Sequence, residues 1–200
     1  MEKKNSFLRW YMQDLLQQYK RKKDLYKVLS RNPTVTIEED VQILNRKSLS
    51  LGERIYISKG TILHCGGGEW CNHGGKISIG DHTYIAPYVV LFGAGEIEIQ
   101  RRCQIGPRVF ITSLSPDKKI LEDESLLDMK VPPHAFAKVV IEEGVFLGAG
   151  TIVLMGVTVG RGTIVPPGSI IDKDIPPYSL VVSERRSKVI SRDSNLFRPR

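Results

Sequence analysis

The sequence contains few cysteines and no long apolar run, and these absences exclude several classes of protein. Only three of the 200 residues are cysteines, an odd and sparse set that argues against a disulfide scaffold and for a reducing compartment. The longest stretch without a charge, residues 145–160, is too short to span a bilayer and contains four glycines. Gln13 and Asp14 interrupt the first apolar patch, so we expect no signal peptide. These features predict a cytoplasmic protein with one substantial core.

Positive charge is concentrated at the two ends of the chain. The net charge is +7, with +6 in residues 1–31 and +4 in residues 183–200, which leaves −3 for residues 32–182. No zinc-finger, helix-turn-helix or RNA-recognition pattern accompanies the basic residues. We therefore expect no binding to nucleic acid, because basic terminal segments are commonly solvated ends.

The first segment, residues 1–32, is predicted to be a basic helix. Apolar residues recur every three to four positions, at Leu8, Tyr11, Leu15, Tyr19, Tyr26 and Leu29. Pro33 ends the pattern, because a residue before proline avoids the helical region. Two interpretations stay open: the helix packs against its own body or a sister subunit, or it makes peripheral contact with an anionic membrane through Trp10 and Tyr11.

The middle of the chain repeats a branched aliphatic residue at every sixth position. One register contains Ile141, Leu147, Val153, Val159, Val165 and Ile171. Upstream, the same period gives Ile79, Ile85 and Leu91 and then, after an eight-residue step, Ile99, Ile105 and Ile111. A period of six fits neither a helix nor a flat strand, but it fits a parallel β-helix in which three short units complete each coil. We expect six coils, with the aliphatic residues stacked inside. A β-sandwich would instead show a period of two and turns at variable spacing.

The predicted β-helix covers residues 33–182, and two insertions interrupt it. The first, residues 65–76, is rich in glycine, and the second, residues 112–140, is longer and charged. Long loops in so regular a scaffold are more often functional than accidental. Residues 183–200 form a basic tail.

Two stretches near the end of the repeat resemble a known family. They read Val-Phe-Leu-Gly-Ala-Gly at 145–150 with Gly-Val-Thr-Val-Gly at 156–160, and Pro-Gly-Ser-Ile-Ile-Asp-Lys-Asp-Ile-Pro-Pro at 167–177. Both are similar to motifs of the hexapeptide-repeat acyltransferases, such as the galactoside, maltose and other sugar acetyltransferases. The resemblance implies an all-β fold, a left-handed parallel β-helix, which is an exception to right-handed crossovers.

The resemblance also implies an activity and a site. We expect an acyltransferase that moves acetyl from acetyl-CoA to a sugar or nucleotide-sugar hydroxyl or amine in polysaccharide biosynthesis. The expected assembly is a homotrimer with acyl-CoA bound between subunits. The positions that match coenzyme-binding positions of the family are Gly148, Ala149, Pro167, Lys173 and Lys188. The two lysines would face the coenzyme phosphates as point charges.

The histidine that serves this family as general base is missing from its usual place. It is expected three to five residues beyond Ile111, where this sequence has Leu114 and Pro116. His134 could return to the cleft as a substitute base, and Asp117 would suffice for an amine acceptor. A catalytically impaired trimer that acts as a binding or scaffold protein is the alternative from another functional class.

A metal site is not predicted. His64, Cys65, Cys71 and His73 cluster around the first insertion, but their spacing matches no common zinc motif. His82 lies between two inward aliphatics of the repeat, and we expect it at the surface.

Overall fold

The chain begins with a helix and continues as a three-sided coil whose strands form three parallel sheets. The structure is a computed structural model that describes residues 2–67, 73–123, 125 and 132–182. Helix α1 spans Glu2–Arg31, and the strands that follow are two or three residues long. Such short strands are expected when every sixth residue must turn inward and the chain bends between the units.

Successive strands belong to successive sheets. Sheet 1 contains β1 (Thr36–Ile37), β4 (Tyr56–Ile57), β7 (Tyr84–Ile85), β10 (Gln104–Ile105), β15 (Phe146–Leu147) and β18 (Ile164–Val165). Sheet 2 contains β2 (Gln42–Leu44), β5 (Ile62–His64), β8 (Val90–Phe92), β11 (Phe110–Thr112), β16 (Ile152–Val153) and β19 (Ile170–Ile171). Sheet 3 contains β3 (Leu49–Leu51), β6 (Ile77–Ile79), β9 (Ile97–Ile99), β14 (Val139–Ile141) and β17 (Thr158–Val159). Between β11 and β14, an antiparallel hairpin is formed by β12 (Leu114–Pro116) and β13 (His134–Phe136).

The aliphatic residues of the repeat stack into one continuous core. Ile105 pairs in register with Ile85 below it and Leu147 above it, and all three side chains are fully buried. The same register runs through sheets 2 and 3, so each coil buries its apolar side chains only against its neighbours. The expected six coils are confirmed, since sheets 1 and 2 each contain six strands.

Small hydroxyl residues occupy the corners between the sheets. Thr151, Thr163 and Ser169 are buried, and each donates its hydroxyl to a proline carbonyl. Thr151 and Thr163 reach the next coil, to Pro166 and Pro176, whereas Ser169 bonds to Pro166 in its own corner. A buried hydroxyl without a partner would destabilise the fold, so these bonds explain why the core tolerates polar side chains there.

The two ends of the β-helix differ. At the last coil, Ile175 bridges to Val159 and Leu180 bridges to Ile164, both in parallel register. At the other end, α1 packs against β2 through its last turn, where Val28 is buried. Most of the described side chains along the rest of α1 are exposed. Among the described residues, no helix has the length and hydropathy needed to cross a membrane.

Candidate active site

Both insertions leave the β-helix at the same corner, between sheets 2 and 3. The first connects β5 to β6, and the second connects β11 to β14. The hairpin of the second insertion pairs Leu114 with Phe136 and Pro116 with His134. His134 therefore lies directly across from Pro116, a position where the family histidine was expected. Its side chain is half-buried.

The hairpin is anchored to the coils by a buried serine. The hydroxyl of Ser113 donates to the carbonyl of Phe92 and accepts the backbone N–H of Gly95, both at 2.8 Å. Its carbonyl accepts the N–H of Ala137 at 3.1 Å. Ser113 is fully buried, so these bonds replace its contacts with water and fix where the hairpin leaves the β-helix.

An ion pair adds a second attachment just beyond the hairpin. Nζ of Lys138 lies 2.6 Å from Oε2 of Glu98 on β9. The bond to Lys138 lowers the pKa of Glu98 and, in return, raises the pKa of Lys138. Both side chains are partly exposed, so the pair contributes at most about 1 kcal/mol.

Asp117 and His134, the two predicted bases, are neighbours at the end of the hairpin that leads into the rest of the insertion. The backbone N–H of Asp117 donates to the carbonyl of Pro133 at 2.9 Å. Its carboxylate accepts the N–H of Lys119 at 3.0 Å and caps the 3-10 turn Lys118–Leu121. Asp117 therefore has a structural role in the loop, and its catalytic role stays a prediction.

The first insertion places a second histidine against the hairpin. The ring of His73 stacks on that of Phe136, with centroids 4.3 Å apart and planes inclined by 18°. Its Nδ1 lies 2.7 Å from the carbonyl oxygen of Ala94. The backbone around it is held by an antiparallel bridge between Gly66 and Gly74 and by a 2.9 Å bond from the N–H of Gly67 to the His73 carbonyl. Sequence reasoning considered His73 only as a metal ligand and missed this contact between the insertions.

The neighbouring residues His64 and Cys65 are structural. His64 is buried, packs edge-on against Phe92, and accepts the N–H of Gly66 through Nδ1 at 3.3 Å. Burial lowers the pKa of His64 and raises the pKa of the Cys65 thiol to about 12. In the part of the chain that the structure describes, no three His, Cys, Asp or Glu side chains are placed to hold a metal ion. Cys71 lies outside the described residues.

The predicted coenzyme residues occupy two different corners. Gly148, Ala149 and Pro167 follow strands of sheet 1, at the corner between sheets 1 and 2, where Ala149 and Pro167 are exposed. A Cβ at Gly148 would lie 2.6 Å from the carbonyl carbon of Pro166 and closer still to the nitrogen of Pro167, so glycine is required there by packing. Lys173 is exposed after β19, at the corner between sheets 2 and 3. Lys188 lies outside the described residues.

One chain therefore keeps the two halves of the predicted site apart. The corner with Gly148 and Pro167 and the corner with His134 and Asp117 belong to different edges of the same three-sided coil. Side chains from different edges meet only if a second copy of the chain packs beside the first.

Comparison with known proteins finds likeness in structure. No protein-family model matches the chain, and no curated protein sequence matches it. AntD, an N-acyltransferase from Bacillus cereus solved with dTDP and 3-hydroxybutyryl-CoA, superposes with a TM-score of 0.62 and 25% identity over 80% of this chain and 81% of AntD. The hexapeptide-repeat-containing acetyltransferase VCA0836 from Vibrio cholerae, solved with acetyl coenzyme A, gives a TM-score of 0.55 and 26% identity over 68% of this chain and 67% of that one.

A third solved structure shares the fold. The perosamine N-acetyltransferase from Caulobacter crescentus, solved with CoA and GDP-perosamine, has a TM-score of 0.50 and 21% identity over 76% of this chain and 54% of that one. Together, the similar structures confirm the predicted left-handed parallel β-helix and the resemblance to hexapeptide-repeat acyltransferases.

Proposed function

We propose that this protein, an acyltransferase with the hexapeptide-repeat fold, transfers an acetyl group from acetyl-CoA to an amine of a sugar or nucleotide-sugar. The observation that carries the proposal is the likeness to AntD, which extends over about four-fifths of both chains. The AntD structure contains both an acyl-CoA and a nucleotide. We propose further that the protein is cytoplasmic and that it acts in polysaccharide biosynthesis.

An amine acceptor suits the side chains at the insertion corner better than a hydroxyl. A neutral amine attacks a thioester without first losing its proton, so the enzyme needs only a modest base beside the attacking nitrogen. Two of the similar structures also contain amino sugars: AntD with dTDP-4-amino-4,6-dideoxyglucose, and the perosamine N-acetyltransferase with GDP-perosamine. A sugar hydroxyl is the competing acceptor, and it would place a greater demand on the base.

A homotrimer with sites between subunits accounts for the separation of the two corners. Exposed apolar side chains lie on the two sheets that meet at the Gly148 corner, namely Phe146 and Ile164 on sheet 1 and Ile170 on sheet 2. Exposed apolar side chains close to one corner favour cover by another protein surface. A second copy laid against it would bring its insertion corner, with His134 and Asp117, towards the Gly148 corner of the first.

The chemistry then divides between the two corners. Ala149 and Pro167 would line the path of the pantetheine arm, and Lys173 would face a coenzyme phosphate as a point charge. The acceptor nitrogen attacks the thioester carbonyl carbon, a C–N bond forms and the C–S bond breaks. The sulfur leaves as thiolate and receives a proton, which balances the proton that the nitrogen gives up to a base at the insertion corner. His134 and Asp117 stay predicted candidates for that base.

Thermal unfolding in the presence of coenzyme A or acetyl-CoA tests the proposal. A ligand that binds the folded state raises Tm by mass action, by an amount that grows with its concentration. Turnover is then followed as thiol release from acetyl-CoA, with dTDP-4-amino-4,6-dideoxyglucose and GDP-perosamine as acceptors. An unchanged Tm at millimolar coenzyme would contradict the proposal. A raised Tm without thiol release for any sugar acceptor would favour the alternative, a binding or scaffold protein.

A further inference from the structure

We propose that His73 of the first insertion is the general base of the transfer, which makes both insertions part of one catalytic corner. This inference rests on the proposed function and names a residue of that same site. It starts from the imidazole ring of an exposed residue that contacts a backbone carbonyl and an aromatic ring.

The first restraint sets the tautomer of His73. A carbonyl oxygen accepts hydrogen bonds and never donates them, so Nδ1, which lies 2.7 Å from the carbonyl of Ala94, carries the proton. In a neutral imidazole with its proton on Nδ1, the acceptor lone pair is on Nε2. The contact therefore selects the form of the ring whose Nε2 takes a proton, just as partners on the other nitrogen set the tautomer in many catalytic histidines.

The second restraint fixes the direction of the ring. Ala94 is fully buried, and its neighbours are held by backbone bonds: Gly93 N–H to the His64 carbonyl and Gly95 N–H to the Ser113 hydroxyl, both at 2.8 Å. The stacked Phe136 ring limits tilting of the imidazole out of its plane, and the bond to Ala94 sets its direction within that plane. A base held by a rigid coil and an aromatic ring is pre-oriented, which a base on an isolated loop is not.

The position of His73 matches the place where a base is needed. Phe136, which it contacts, pairs with Leu114, and Leu114 lies three residues beyond Ile111. His73 therefore reaches the region that the family resemblance assigns to the catalytic histidine, although it comes from a different insertion. In the transfer step, Nε2 takes the proton from the attacking nitrogen as the C–N bond forms, and the departing thiolate receives a proton as the C–S bond breaks.

The tautomer can be measured without any substrate. A long-range 1H–15N correlation spectrum of uniformly labelled full-length protein at neutral pH distinguishes a ring protonated at Nδ1 from one protonated at Nε2. His73→Asn identifies the signals of His73 by their loss. We expect the Nδ1–H form, and a dominant Nε2–H form would overturn the proposal whatever the activity.

Kinetics test the catalytic role with a substitution that keeps the structural contact. In His73→Asn, the side-chain amide nitrogen stands where Nδ1 was and still donates to Ala94, while Nε2 is removed. We expect kcat for thiol release with dTDP-4-amino-4,6-dideoxyglucose to fall at least about 100-fold with KM for acetyl-CoA unchanged. Tm should fall only slightly, because the stacking on Phe136 is lost while the bond to Ala94 is kept. The matched control is His82→Asn, because His82 is exposed with a φ of 57°, a backbone conformation that asparagine tolerates well, and its activity should equal wild type.

The outcomes separate this inference from the function beneath it. Full activity in His73→Asn together with a large loss in His134→Asn or Asp117→Asn would overturn the inference alone and assign the base to the hairpin. A wild-type protein that neither binds coenzyme A nor releases thiol would overturn the proposed function, and this inference with it.

Discussion

Pro116 and His134 face each other as paired residues across the hairpin of the second insertion. Pro116 occupies one of the positions where the family histidine is expected. The pairing therefore places a histidine directly opposite that position, on the neighbouring strand. Whether this corner can place any base depends on how firmly the hairpin is attached to the coils, because a small misplacement of a catalytic group is costly.

Replacing Ser113 by alanine should loosen the hairpin. The change removes the hydroxyl that accepts the N–H of Gly95 and donates to the carbonyl of Phe92, and it leaves a buried N–H without a partner. We expect a loss of about 1–3 kcal/mol in the free energy of unfolding. Denaturant titration of Ser113→Ala and Ser115→Ala provides the comparison, since Ser115 is only half-buried in the same hairpin. Equal stability of the two variants would show that the Ser113 bonds do not anchor it.

Gly148 should tolerate no side chain. An added methyl group would lie 2.6 Å from the carbonyl carbon of Pro166, so the stacked corners would have to separate. We expect Gly148→Ala to cost about 3 kcal/mol, the upper end of overpacking effects.

Gly150 is the matched control at the same corner. It has a φ of +67° but no atom within 4 Å of the added methyl, so its substitution costs only the backbone strain, about 1 kcal/mol. Thermal unfolding at one protein concentration ranks the two variants, and a lower Tm for Gly150→Ala than for Gly148→Ala would contradict the packing explanation.

The two described cysteines should be inert in the folded protein. Burial raises the pKa of Cys65 to about 12 and that of Cys103 to about 11, so little thiolate exists near neutral pH. The thiolate is the reactive form, and both side chains are fully buried. In a Cys71→Ser variant, we expect no reaction with a disulfide reagent at pH 8 until denaturant is added, after which both thiols react. Rapid reaction of the native variant would show that these residues open to solvent, and it would also interfere with a thiol-release assay.

The core was predictable from sequence because one physical requirement recurs along it. Residues such as Ile85, Ile105 and Leu147 must point inward at each coil, so their spacing records the geometry directly. The insertions were visible as breaks in that spacing. The bonds of the corner serine and threonine residues to proline carbonyls require coordinates.

The candidate site was much less predictable. The stacking of His73 on Phe136 joins two loops that are far apart in sequence, and neither loop has a periodicity that reports its path. Asp117 was selected as a carboxylate that could serve as base for an amine acceptor. Its side-chain bond to the N–H of Lys119, which caps a short turn, leaves no mark in the sequence. Gly148 was recognised by resemblance to a coenzyme motif, and the structure adds a packing reason for the same residue.

Peripheral contact of α1 with an anionic membrane stays a prediction, which the exposed apolar face of the helix makes testable. Tyr11, Leu15, Leu16 and Tyr19 are all more than 40% exposed, and residues 1–31 have a net charge of +6. Copies of so basic a helix repel one another, whereas anionic headgroups attract it. We expect the full-length protein to float with vesicles of phosphatidylcholine and phosphatidylglycerol, and less so as salt is raised.

Leu16→Glu and Gln17→Glu test this with equal changes in charge. Leu16 lies on the apolar face, and Gln17 is an exposed polar residue next to it that points to a different side of the helix. Flotation should be lost in Leu16→Glu and reduced only slightly in Gln17→Glu. A different result would contradict membrane contact: wild type does not float, and Leu16→Glu lowers the molecular mass in solution. The apolar face would then contact a sister subunit, with its side chains buried between copies of α1 in spite of the positive charge of the helices.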